Sequence, residues 1–277
     1  MPAERRPREQ LSDVVFCLVL KIYGKFSYDL LISFLDSLDT GKYLSHVPSA
    51  MTLNNYMRDE KLTPILKKLI GESSLPLRGI ETHFAIDSTP LFLHSYYLSV
   101  DSKTKKKVER RDWIRLHLVC GVKTGIVPSA DATLRIVAEQ KLFEPLVREL
   151  LLLGFEVRGI AGDKNYLSRK NVTLVTELGA TPYLTFKKNS RKREGDNQEW
   201  VESFDKFKAQ DAAVIPHYRE RNQVEATFSA LKRVTGKFLQ GRKLTAQFNE
   251  ALFKVLTHNL RVLCRCNIES DSTEDCT

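Results

Sequence analysis

The sequence has no apolar stretch long enough to cross a bilayer. Its longest early run, Val14 to Leu20, falls well short of the ~20 residues a spanning helix needs. A secretory leader is not expected either, because Met1 to Gln10 is charged and lacks an apolar centre. Cysteine is sparse and odd in number. Cys17, Cys120, Cys264, Cys266 and Cys276 fit neither zinc-site spacing nor a disulfide framework, and we read them as reduced thiols in a cytoplasmic protein. Internal repeats are absent, and so is a basic amphipathic segment of the sort that anchors a chain to a membrane surface.

What remains is a soluble, globular composition: 277 residues, 42% apolar and 28% charged. That length can bury a sizeable core, as one large domain or one domain with a small appendage. The formal net charge of +9 calls for an anionic partner, a nucleic acid or a membrane surface. With no membrane anchor in view, nucleic acid is favoured over the plainer alternative of a merely basic protein.

Residues 1–78 read as helical. Leu11 to Tyr23 is an apolar-rich helix stopped near Gly24, and Ser27 caps a second from Tyr28 to Leu38. Pro48-Ser49 starts a third, Ala50 to Arg58, and Leu62 to Ile70 forms a fourth. Short helices on tight connections are compatible with a helix-turn-helix, in which Asn54, Asn55 and Arg58 would reach phosphates or base edges. A plain helical bundle packed on the next domain explains the same pattern.

From His83 the period changes to that of strands. His83 to Ile86 is a short strand delivering Asp87. Trp113 to Val122 alternates Trp113, Arg115, His117 and Val119 against Ile114, Leu116, Leu118 and Cys120. After the turn Lys123-Thr124-Gly125, Ile126 to Leu134 returns as a third strand. A helix, Leu142 to Leu153, leads to a fourth strand, Glu156 to Ala161, which runs into Asp163. Ser168 caps a helix ending before Gly179, and Pro182 to Phe186 is a fifth strand. Lys187 to Trp200 reads as a basic loop. An apolar face recurs from Phe248 to Leu263, and residues 268–277 form an acidic tail expected to lack structure.

The most informative stretch is His217 to Arg233, which has helical composition and apolar Val224, Phe228 and Leu231 at helical spacing. At about 100° per residue, Tyr218, Arg221, Glu225 and Lys232 share a sector of roughly 60°. A solvated face with an Arg221–Glu225 pair would account for the charges. The spacing Tyr-x2-Arg-x3-Glu-x6-Lys says more. It resembles the signature around the third acidic residue in a large group of insertion-sequence DDE transposases of bacteria and archaea. Asp87 in Ile-Asp-Ser-Thr and Asp163 in Gly-Asp-Lys-Asn-Tyr resemble the first two acidic motifs of the same family, in order. The resemblance covers roughly residues 80–265 and is weakest across the N-terminal helices.

The resemblance implies an α/β, RNase H-like catalytic domain over residues 79–267, with a mixed five-stranded sheet flanked by helices and preceded by a small helical domain. It implies that Asp87, Asp163 and Glu225 are catalytic and bind two Mg²⁺ ions, with Mn²⁺ as a substitute. Oxygen donors in that number suit Mg²⁺, and two such ions can clamp the attacking and leaving oxygens of a phosphodiester. Arg221 and Lys232 are expected to hold phosphates at the element's ends, with Tyr218 beside them. Lys187, Lys188, Arg191 and Arg193, and the basic run Lys103 to Arg111, are expected on the DNA backbone. His117 reads more safely as a buried, hydrogen-bonded histidine than as a site residue, and Trp113 as packing. Asp131 invites comparison with a fourth carboxylate, but turn chemistry near Pro128 explains it. The expected partner is double-stranded DNA, both the element's ends and the target, bound by a homodimer assembled on it in the cytoplasm at the nucleoid. The rival expectations are a metal-dependent nuclease of the same fold and a transposase-derived DNA-binding protein that no longer catalyses.

Overall fold

The computed structural model describes residues 10–100, 106–187, 190–211 and 214–274. Lys188, residues 103–105 of the basic run and the last residues of the acidic tail lie outside the described residues.

Four helices open the chain: α1 (Leu11–Gly24), α2 (Tyr28–Asp36), α3 (Ala50–Met57) and α4 (Leu62–Ser74). Two have the caps their sequence announces. Ser27 accepts from Leu30 N and Ser49 from Thr52 N, each hydroxyl satisfying a first-turn amide that has no helical partner. These helices do not stand apart. Leu18, Leu31, Leu53 and Leu66 are fully buried in the same apolar cluster as Ala85 and Leu118 of the sheet and Phe253 of the closing helix.

The sheet is five-stranded and mixed, in the order β3-β2-β1-β4-β5. β1 (His83–Val100) pairs antiparallel with β2 (Lys107–Gly121), which pairs antiparallel with β3 (Ser129–Leu134). On its other side β1 pairs in parallel with β4 (Gly159–Gly162), and β4 with β5 (Thr181–Leu184). The alternation read from residues 113–120 holds. Ile114, Leu116, Leu118 and Cys120 face the cluster of the N-terminal helices, while Val119 joins Phe84 and Ile86 on the opposite face. That second face is covered by α5 (Gln140–Leu152), α6 (Arg169–Glu177) and α7 (Gln198–Lys208). The first carries α8 (Ile215–Arg219), α9 (Arg221–Thr235) and α10 (Leu244–Glu274).

Several elements differ from the sequence reading. β1 is far longer than expected and passes through Pro90. Pro90 is tolerated because β4 pairs only His83 to Ile86, so beyond Ile86 the missing N–H lies toward an edge. From Lys107 on the basic run is therefore strand: Lys107 to Arg111 pairs with Tyr96 to Val100. α7 lies in and beyond what read as a loop; Asn197 caps it, accepting from Trp200 N, and Trp200 is buried. The signature helix is broken at Glu220, where i→i+3 bonds (Glu220 N to His217 O, Gln223 N to Glu220 O) replace the α-helical pattern. α10 runs on into the acidic tail as far as Glu274, because no glycine or proline follows Gly241 to stop it. Asp131 lies within β3 and pairs with Lys67 at 2.9 Å, so strand geometry and an ion pair replace the expected turn chemistry.

Candidate active site

β1 alternates, so residues 84 and 86 face the α5–α6 layer while 85 and 87 face α9. The same period along β4 puts Ile160 on the α5–α6 side and Ala161 on the other, which turns Asp163, just past the strand end, toward Asp87. Asp87, one residue past the stretch of β1 that pairs with β4, and Asp163, one residue past the end of β4, thus lie on neighbouring parallel segments, and α9 supplies the third carboxylate.

Arg221 joins the first and third motifs. Its guanidinium donates to Asp87 Oδ2 at 3.2 Å, across 134 residues of sequence, and to Glu225 Oε1 at 2.6 Å one turn along α9. The Ser88 amide donates to Asp87 Oδ1 at 2.7 Å, which fixes the carboxylate's orientation. Burial raises the Asp87 carboxyl to about 6; Asp163 and Glu139 push in the same direction, while the Ser88 amide and Arg221 oppose them. Glu225 remains half-exposed.

Lys232, three turns along α9, is half-buried with its ammonium on Thr89 Oγ1 of β1, and burial lowers its pKa. Tyr218 does not line up with Arg221 as a continuous helix would place it. Before the break at Glu220 it packs edge-on against Tyr183 (6.0 Å) and Phe207 (5.3 Å), although both Tyr218 and Arg221 border an open cleft at the start of α9. Arg191 and Arg193 are exposed on the segment before α7, where Asp196 accepts from Arg193 N at 2.7 Å and holds Arg169; Lys187 is exposed after β5. Asn54 and Arg58 line a small cavity of about 180 Å³ with Gln240 and Arg242, and Asn55 is exposed beside them.

His117 is fully buried, its ring bonded to Tyr166 OH (3.1 Å) and Thr133 Oγ1 (2.9 Å), and burial lowers its pKa to about 4. Trp113 packs under the Arg115 guanidinium. The sequence reading passed over Glu139. This carboxylate accepts from Ser88 Oγ at 3.1 Å and pairs with Arg115 at 2.7 Å, bracing β1 from the face behind Asp87. It belongs to no motif, and only the fold brings it near.

The donors suit a hard divalent cation, being carboxylate oxygens with one of them incompletely neutralised. Among the described residues no three acidic, histidine or cysteine side chains converge closely enough to hold one ion. The guanidinium of Arg221 is interleaved between Asp87 and Glu225, and shared metal binding by that pair requires it to yield one of them.

Comparison with known proteins bears on the family and the fold. Residues 78–260 match the family model described as "Transposase DDE domain". Among solved structures, a piggyBac transposase synaptic complex with hairpin DNA superposes with a TM-score of 0.51 at 14% identity, covering 97% of this chain and 70% of that one. The Drosophila P element transposase strand transfer complex is more distant, with a TM-score of 0.35 at 13% identity, covering 91% of this chain and 65% of that one. No curated protein matches the chain. The fold is the α/β, RNase H-like one, and because the family match takes in well over half of its length, the chain belongs to the transposase DDE domain family.

Proposed function

We propose that the chain is an insertion-sequence transposase that binds double-stranded DNA at terminal inverted repeats, hydrolyses the phosphodiester there and joins the freed 3′-hydroxyl to target DNA. The single observation that carries this reading is the Arg221 side chain, which bonds Asp87 and Glu225 at once beside Asp163. That contact ties the first and third acidic motifs together and supports reading the three as one site. Asp87, Asp163 and Glu225 would hold Mg²⁺, or Mn²⁺ in its place, and ions there supply Lewis acidity and an activated water.

The protein's own contribution is position and charge. The Ser88 amide fixes one Asp87 oxygen, while Glu139 and Arg115 brace the strand behind it. Arg221 offers a planar fork suited to bidentate phosphate binding, and Lys232 a point charge farther along the same helix. A phosphate entering between them would draw Arg221 off the carboxylates. Asn54, Asn55 and Arg58 are assigned to recognition of the element's ends, and Lys187, Lys188, Arg191 and Arg193 to the backbone. Two copies of the chain would assemble on the DNA.

The test is a cleavage and strand-transfer assay on inverted-repeat duplexes with Mg²⁺. Asp87→Ala, Asp163→Ala and Glu225→Ala are each expected to abolish cleavage while retaining duplex binding in a gel shift. Full cleavage by any one variant removes that residue from the site. Cleavage by the wild-type chain without joining would assign it as a nuclease of this fold instead.

A further inference from the structure

Tyr166 closes the second acidic motif, three residues after Asp163, and the proposed chemistry leaves it without a task. It is fully buried, and a buried tyrosine hydroxyl needs a hydrogen-bond partner. Its backbone belongs to the Asp163 turn: Tyr166 N donates to Asp163 O at 2.9 Å. Its carbonyl accepts from Asn171 Nδ2 of α6 at 2.7 Å, and its ring packs against Phe143 of α5. The side chain is thus fixed at its base by the second motif and along its ring by the helical layer.

The hydroxyl reaches the first motif. It meets His117 Nδ1 at 3.1 Å, and His117 stands directly opposite Ser88 in the pairing of β1 with β2. Burial raises the Tyr166 pKa well above its ordinary value, and the charges of Glu139 and Asp87 raise it further, with the Ser88 hydroxyl and Arg115 opposing. The phenol therefore lies beside the Asp87–Ser88 pair, on the α5–α6 face of the sheet.

The direction of these bonds follows from their anionic end. Glu139, paired with Arg115, can only accept, so Ser88 Oγ gives its proton to Glu139 Oε1 at 3.1 Å. The Ser88 oxygen keeps lone pairs for the Tyr166 hydroxyl to fill. Burial lowers the His117 pKa to about 4, so its imidazole is neutral with one N–H to give. If Tyr166 donates to Ser88, that proton sits on Nδ1 and points at the tyrosine oxygen. His117 Nε2 then accepts from Thr133 Oγ1 at 2.9 Å. Every donor points along one line toward Glu139, and in such a line each bond polarises the next.

We propose that Tyr166 is a positioning residue that, through Ser88, holds Asp87 and Asp163 at a fixed spacing from the far face of the sheet. The Ser88 amide orients Asp87 Oδ1 at 2.7 Å, while its hydroxyl is held from the Asp163 turn. Movement of either carboxylate relative to the other then breaks a buried hydrogen bond, which is costly away from water. The proposal rests on the reading of these carboxylates as catalytic.

The test uses the full chain. With nitrogen-labelled histidine, NMR should place the His117 proton on Nδ1. A proton on Nε2 would turn the Tyr166 hydroxyl away from Ser88 and overturn the proposal. Tyr166→Phe removes that hydroxyl alone. Cleavage of an inverted-repeat duplex should fall about 10-fold in kcat with KM unchanged, the size expected when support behind a ligating group is lost. Ser88→Ala keeps the amide on Asp87 and should give a loss of the same order, and the double variant should lose no more than the larger single one. Ser129→Ala removes another buried hydroxyl, one that donates to Glu149, and should lower Tm without changing kcat. All rates are compared at a temperature where thermal unfolding shows every variant folded. Wild-type kcat in folded Tyr166→Phe would overturn the positioning role and leave the enzyme reading standing. Absence of cleavage by the wild-type chain would overturn the enzyme reading, and the positioning role with it.

Discussion

Arg221 carries the conflict between stability and chemistry at the residue scale. Its guanidinium is bonded to both Asp87 and Glu225, and Asp87 is already pushed up to about 6 by burial. Arg221→Ala should therefore cost about 1–2 kcal/mol in the absence of divalent ions, between the value of an exposed pair and that of a buried one. At this chain length that is a fall in Tm of several degrees. Arg221→Lys should recover most of the stability but little of any cleavage, since an ammonium cannot reproduce a bidentate fork. Thermal unfolding in chelator, set beside end cleavage, checks both. An unchanged Tm for Arg221→Ala would show that the pair contributes no net stability and that the residue matters only to ligand.

At the scale of elements, local chemistry explains what could be read and what could not. The Ser27, Ser49 and Ser168 caps were legible because capping needs only the next few residues. α7 was missed: Asn197 followed by Trp200, Phe204 and Phe207 at helical spacing carries its signal, but the polar, basic surroundings read as loop. β1 was cut short because Pro90 ends most strands, and only the pairing pattern reveals that it sits toward an edge. The Tyr-x2-Arg-x3-Glu-x6-Lys spacing located Arg221, Glu225 and Lys232 on one helix, yet the break at Glu220, which puts Tyr218 among Tyr183 and Phe207, has no such mark. Glu81 shows how far a single tertiary contact reaches. It satisfies two turn amides and the Thr124 hydroxyl from inside the core. Glu81→Ala leaves those amides without a partner, which should cost about 2–4 kcal/mol. Denaturant unfolding measures this. A loss under about 0.5 kcal/mol, the level of an ordinary surface change, would mean that the turn finds other partners.

At the scale of the molecule, the N-terminal helices, the sheet and α10 share one apolar cluster. The sequence left that packing open, as one of two readings of the helical pattern, whereas Asp87, Asp163 and Glu225 each sit in a motif short enough to read. Lys254 lies where these parts join. It is almost fully buried on α10, and its ammonium donates to the carbonyls of Thr235 and Gly236 at the end of α9. The charges around it are Glu250, Lys21 and Lys25. Burial lowers its pKa from 10.5 to about 8, with Glu250 opposing and the two lysines assisting. Below pH 8 this lysine is protonated in both folded and unfolded chains, so its burial penalty is constant. Between about pH 8 and 10.5 the unfolded chain binds the extra proton, so stability contributed by this group rises with pH. The rise is at most about 1.4 kcal/mol per pH unit. Other groups titrate nearby in pH: Tyr28 and Tyr218 are raised to about 12, which makes their contribution fall above pH 10. The comparison that isolates Lys254 is therefore wild type against Lys254→Met, each unfolded by urea at pH 8 and pH 10. Lys254→Met should be less stable where the two carbonyls lose their donor, and its stability should change less favourably between the two pH values than that of wild type. Equal pH dependence in the two proteins would show that the buried ammonium keeps an ordinary pKa, held by the Thr235 and Gly236 carbonyls against the cost of burial.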